Sequence, residues 1–215
     1  MYGPSHFEEN RPEVLHSHMD RYPLATVVAA TATGIEANHI PLIFEPGSGG
    51  PGTLKGHIAR ANPMWRELKG GAEVLAIFQG ASHYISPNWY PTKSQHGKVV
   101  PTWNYTVVHA RGRLSWTQDA TWLREFLEAL TDRHERQYEG PWRISDAPKD
   151  YIQQMLAAIV GFEISIASLT GKWKVSQNRS GVDRDGVVSS LHKSGEAAAL
   201  EMAALVAEPA KDRAE

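Results

Sequence analysis

Cysteine is missing from all 215 residues, which rules out disulfides, thiol nucleophiles and thiolate metal sites. Charge of one sign is missing too: 22 Lys and Arg stand against 24 Asp and Glu, a formal charge of −2. A nucleic-acid binder must neutralise rows of phosphate and needs a basic face, and no segment supplies one. No apolar run reaches the ~20 residues that span a bilayer, and the opening residues carry no signal-peptide pattern. A cytoplasmic protein without a membrane segment is the expectation. The glycine-rich loop Pro46 to Gly52, PGSGGPG, lacks the Gly-Lys-Ser/Thr that would make it a phosphate loop.

What remains is ordinary globular material. Hydrophobic residues make up 41% and charged residues 21%, enough for one domain with a real core. Residues 1–192 read as that domain, and 193–215 as an alanine-rich helix with a frayed tail after Pro209. The unusual stretch is Tyr84 to Tyr105, YISPNWYPTKSQHGKVVPTWNY, where large rings alternate with hydrogen-bonding groups and prolines. Rings supply area and polar groups fix orientation, so a flat ligand with polar edges fits; a subunit interface or a packed hairpin corner fits as well.

Along the chain, Phe7, Val14, Leu15 and Met19 predict a short helix before Pro23, on which His16 and His18 point to different faces. Val, Ile, Thr and Ala then predict antiparallel strands over 24–32 and 35–44, turning at Thr33-Gly34. Asn38 and His39 are polar residues within the second strand and need a partner from backbone, water or ligand. A strand to Ile58 leads to Asn62 and Pro63, a helix cap and first helical residue. Arg60, His57 and Gly56 beside that helix start combine guanidinium and unpaired N–H groups, the chemistry of a phosphate site; pairing of Arg60 with a carboxylate is the alternative.

Strands follow over 73–79 and, as a pair, from Val99 to Thr117. On the latter, alternation puts Trp103, Tyr105, Val107 and His109 on one face and Thr102, Asn104, Thr106 and Val108 on the other. Asp119 caps a helix bearing Trp122, Leu123, Phe126, Leu127 and Leu130, whose charged end at 132–136 reads as solvated. A second helix runs from Asp146 to before Gly161, and 162–169 is the last strand. Gly171 to Arg179, with Lys172, Trp173, Lys174 and Gln177, reads as a phosphate-holding segment or a surface lip. Helices are expected over 183–191 and 197–206, the latter with Leu200, Ala203, Ala204 and Leu205 as its apolar stripe.

Four motifs in this order, GHIARANP at 56–63, YISP with Trp89-Tyr90, VPTWNY with His109, and KWKVSQN at 172–178, resemble the PaiB family of FMN-binding negative transcriptional regulators. The resemblance spans about 1–191 and leaves the alanine-rich helix outside. It implies a mainly β fold with peripheral helices, a Greek-key-like antiparallel split β-barrel, with FMN bound at the interface of a homodimer. It implies Arg60 and His57, with Asn62 in the same turn, at the FMN phosphate, and Asn38 and His39 at the flavin's polar edge. Trp89, Trp103 and Tyr105 become pocket walls, and Lys172 and Gln177 reach across the dimer. No catalytic residue and no metal ligand is assigned. Regulation by an indirect route is expected, because direct DNA binding finds no basic recognition helix. A NAD(P)H-dependent flavin reductase and a haem-binding or haem-degrading relative are the competing readings.

Overall fold

The computed structural model describes residues 1–47 and 50–208; the tail after Pro209 and part of the 46–52 loop lie outside the described residues. Eight strands form one sheet with hydrogen-bonded order β3-β2-β6-β7-β8-β5-β4, and the short β1 pairs with β8. They are β1 (Glu8–Glu9), β2 (Leu24–Thr31), β3 (Gly34–Pro41), β4 (Ile43–Glu45), β5 (Thr53–Ala59), β6 (Ala72–Ile85), β7 (Thr102–Thr117) and β8 (Ile159–Lys174). The fold is the expected split barrel, mainly antiparallel, with β3 and β4 as unjoined ends among the described residues. The described residues also form seven α-helices: α1 (Pro12–Arg21), α2 (Met64–Glu67), α3 (Lys93–His96), α4 (Ala120–Glu135), α5 (Lys149–Ala157), α6 (Gly181–Ser194) and α7 (Ala197–Ala207).

The chain divides into two compact units. One holds 19–78 and 110–169. Here β2 and β3 form a hairpin whose register, Thr31 opposite Gly34, leaves Ala32 and Thr33 as its two-residue turn. Alternation on β2 buries Ala25, Val27 and Ala29, and β5 does the same with Leu54, Gly56 and Ile58. Gly56 is required there, since a Cβ would stand 2.6 Å from Phe162 and 2.7 Å from Leu42. Asp119 caps α4 as expected, its Oδ1 accepting from the Trp122 N–H at 2.7 Å.

The other unit holds 1–18, 79–109 and 170–215. Its core gathers Leu15, Ile85, Tyr90, Val108, Trp173, Val175, Val187 and Leu191. His18 is packed rather than solvated, edge-on to Trp173 at 5.0 Å. Helix α6 lies close against the aromatic stretch: a Cβ on Gly186 would meet the Trp89 carbonyl at 2.2 Å. Asp183 accepts from the Thr92 N–H at 3.2 Å and the Thr92 hydroxyl at 2.8–2.9 Å. Burial alone would raise its pKa, but the Thr92 and Ser180 hydrogen bonds and Arg179 bring it below the ordinary value.

Several sequence expectations are corrected. Val99 to Thr117 is not a strand pair; 102–117 is one strand. The glycine at 112 makes no turn but a close approach, where a Cβ would lie 2.2 Å from the Ser165 carbonyl. The strand at 73–79 extends to Ile85, and the one expected over 35–44 breaks at Leu42. Gly171 to Lys174 belongs to β8, because β1 pairs with its end, Glu8 opposite Lys172 and Glu9 opposite Gly171. On α7 the buried stripe is Ala199, Met202, Ala203 and Val206, whereas Leu200 is 43% exposed. Alanines at that spacing let α7 pack on α6, and Arg184 caps its end by donating to the Val206 and Glu208 carbonyls at 2.6 and 2.7 Å.

Candidate functional site

The residues predicted for a ligand fall into two groups, one in each unit. In the first, β5 ends at Ala59 and the chain turns, with the Asn62 N–H donating to the Ala59 carbonyl at 2.9 Å. Asn62 caps the next turn as expected, its Oδ1 accepting from the Met64 N–H at 2.9 Å. The helix that follows is only α2, four residues long, so the dipole expected from a helix start at Pro63 is that of a single turn.

Among the described residues no carboxylate pairs with Arg60. Its Nε donates to the Ala157 carbonyl at 2.7 Å, Nη1 to Gln118 Oε1 at 2.6 Å and Nη2 to the Ile159 carbonyl at 2.9 Å. Three of five N–H groups are thereby engaged by the chain itself. Arg60 and Arg66 both stand over the Trp65 ring, at 5.9 and 5.3 Å from its centroid, and Trp65 Nε1 donates to the Arg60 carbonyl at 2.7 Å. Asn62 Nδ2 donates to Asn38 Oδ1 at 2.7 Å, and Asn38 Nδ2 lies 3.3 Å from Met64 Sδ. Arg60, Asn62 and Asn38 are therefore one constellation. His39 is exposed and bonds Thr26 Oγ1 at 3.0 Å. His57 packs edge-on against Phe126 of α4 at 5.7 Å, with Nδ1 buried and unpartnered. Burial lowers its pKa, so the ring is neutral at pH 7.

In the second group the exposed side chains are rings. Trp103 on β7 is 56% exposed and Tyr84 on β6 is 43% exposed, and they meet edge-on at 6.1 Å. Trp89 lies 6.0 Å from His83, whose Nδ1 bonds the Tyr84 carbonyl at 2.6 Å. Tyr105 lies under Lys172, whose Nζ is 5.4 Å from the ring centroid. Lys172 is 9% exposed; its ammonium donates to the Tyr2 carbonyl at 3.0 Å and also faces the Tyr2 ring at 5.9 Å. Two residues along the same strand, Lys174 donates to Thr102 Oγ1. Burial lowers the Lys174 pKa; Tyr105 opposes that shift, and the nearby Lys172 and Arg179 add to it. Among the described residues no carboxylate lies within 4.0 Å of either ammonium.

Trp103, Tyr105 and Lys172 thus share one ring-and-lysine region. Gln177 instead folds onto its own strand end, its Oε1 accepting from the Val175 N–H at 2.8 Å and its Nε2 donating to the Trp173 carbonyl. That turn holds Ser176 at a φ of 64°, and its hydroxyl accepts from the buried Asn104 at 2.9 Å. Sequence reasoning passed over Arg66; it singled out the stretches that hold Tyr84 and Lys174 but did not assign either residue to the cofactor. The signal for Lys174 was period two: continued through the lysines, it puts 172 and 174 on one face of β8.

Residues 1–168 match the family described as "Putative FMN-binding domain". The protease synthase and sporulation protein PAI 2 of Bacillus subtilis is 30% identical over 211 residues, covering 98% of this chain and 99% of that protein. The chain belongs to the PaiB family of FMN-binding proteins. An uncharacterized protein of Emericella nidulans is 36% identical over 192 residues, 75% of this chain and 76% of its own. Two solved structures share the PaiB fold at low identity. The FAD and haem binding protein of Mycobacterium smegmatis has a TM-score of 0.54 at 19% identity, over 77% of this chain and 72% of that one. A flavocytochrome of Azotobacter vinelandii has a TM-score of 0.54 at 14% identity, over 77% and 67%.

FMN joins a flat ring system to a dianionic phosphate. The exposed Trp103 and Tyr84 rings suit the first, and the carboxylate-free lysines suit the second. At the other constellation Arg60 and Arg66 also lack a carboxylate within 4.0 Å among the described residues, but Arg60 keeps only one N–H on each terminal nitrogen for a ligand. The donor set of the PaiB chain fits the cofactor.

Proposed function

We propose that the protein is a flavin-dependent regulator that acts as a homodimer, with FMN at the subunit interface and control exerted through a partner rather than by gripping DNA. The end-to-end likeness to PAI 2 carries this reading, because it reaches past the FMN-binding domain through the C-terminal helices. Exposed Trp103, Tyr84 and Val100 on the same unit are an apolar surface that supports a dimer. When bound, FMN supplies one- and two-electron chemistry. The chain's own part is to orient the ring with Trp103, Tyr84 and Tyr105 and to offset its charge with lysines. Complementation tests the proposal. Bacillus subtilis lacking PAI 2 should regain its normal protease output when this chain is supplied. Absence of rescue by folded, FMN-loaded protein would sink the regulatory reading.

The openness of the Trp103 and Tyr84 rings favours one second reading, in which a nicotinamide stacks there and reduces the flavin. Stopped-flow mixing with NAD(P)H decides it. Bleaching within seconds supports a reductase, and an unchanged flavin spectrum after minutes removes that reading.

A further inference from the structure

We infer that the FMN phosphate is held by Lys172 and Lys174 on β8, with Arg179 as a third cation, and not by the Arg60 turn. The inference rests on the flavin-binding reading above and assigns one end of the ligand. A buried ammonium needs either a counter-charge or several acceptors. The buried Lys172 has one carbonyl and two ring faces, and the half-buried Lys174 one hydroxyl. Placed two apart on one strand, the two ammonium groups repel each other, and no carboxylate of the described chain, including Glu8 paired opposite Lys172, lies within 4.0 Å of either. A dianion offsets two such charges at once.

Other anion sites are less suited. The guanidinium of Arg60 is tied to three acceptors of its own chain and Arg66 is exposed. Arg179, by contrast, stands 4.9 Å from the Tyr90 ring centroid and lies close enough to shift both Lys174 and Asp183. Asp183 lies near enough to feel Arg179, but among the described residues it makes no ion pair within 4.0 Å to Lys172 or Lys174.

Riboflavin is FMN without the phosphate, so the ratio of the two dissociation constants isolates the anion's contribution. Fluorescence titration of the parent with each flavin gives the reference ratio. In Lys174→Met and Lys172→Met, FMN binding should weaken by about 10- to 100-fold, the range of a charge-assisted contact, with riboflavin binding held within about threefold. Lys174→Arg should restore most of the FMN preference. Retained riboflavin binding shows in each variant that the protein is folded. Equal weakening of both flavins would mean that the lysines face the ring, and would overturn the assignment. So would a collapse of the ratio in Arg60→Ala with the lysine variants unaffected. A parent that binds neither flavin would instead defeat the flavin reading on which the inference stands.

Discussion

At the turn after β5, a guanidinium serves three acceptors of its own chain; on β8, two ammonium groups share one carbonyl and one hydroxyl. Both places carry the residue types that a phosphate attracts. They differ in whether the charge is already answered. Arg60 ties the turn to 157–159 and to Gln118, so its first role is to hold the chain in place. Lys172 and Lys174 do little for the fold that a neutral side chain could not do. Residue type proposes a ligand contact, and the state of its donors decides how strong the proposal is.

The sharpest way to break the contrast is Arg60→Ala. It strips hydrogen bonds from two carbonyls and Gln118, and should lower stability by about 2–4 kcal/mol in urea unfolding. A loss under about 0.5 kcal/mol would mean that those bonds matter little. Asp183 is a carboxylate whose neighbours satisfy it, so Asp183→Ala should cost about 1–3 kcal/mol and loosen Thr92. Its pKa is lower folded than unfolded, so its contribution is present above about pH 4 and is lost as pH falls through the folded value. An acid limb of the stability curve unchanged in the alanine variant would contradict this.

His57 sharpens the comparison from the other side, as a buried nitrogen with no partner. Below pH about 6.5 the unfolded chain takes up a proton that the folded ring resists, so stability falls on acidification. His57→Phe should flatten that slope between pH 7 and 5, by about 1 kcal/mol at most. The smallest change is expected from Lys172→Met without flavin. Removing an uncompensated buried charge should leave stability within about 1 kcal/mol of the parent or raise it. A loss like that of Arg60→Ala would erase the distinction between the two regions.

Strand-forming composition between turn residues made much of the sheet legible, with the β2–β3 hairpin, β5 and the start of β6 found that way and the first half of β8 found from period two. The cap at Asp119 was legible because a side-chain oxygen before an apolar stripe has few other uses. Gly112 was opaque, since only the tertiary structure shows the Ser165 carbonyl that forbids a side chain there. The α7 stripe was misread because alanine faces differ little in hydrophobicity, and the approach of α6 selected among them. At the candidate site, Trp103 and Tyr105 could be grouped from the alternation of one strand, but the contact of Lys172 with Tyr105 of its own chain could not. The partners of Arg60 could not, because Gln118 and the 157–159 carbonyls are 58 to 99 residues away along the chain.

Strand β3 ends the sheet, and from Gly34 to Ala37 both its faces meet water. Amide protons there should exchange earliest, through local fraying that leaves the core intact. The Asn38 carboxamide, which accepts from Asn62, then acts as a latch: each time the edge peels back, the 60–63 turn loses a tether without the domain melting.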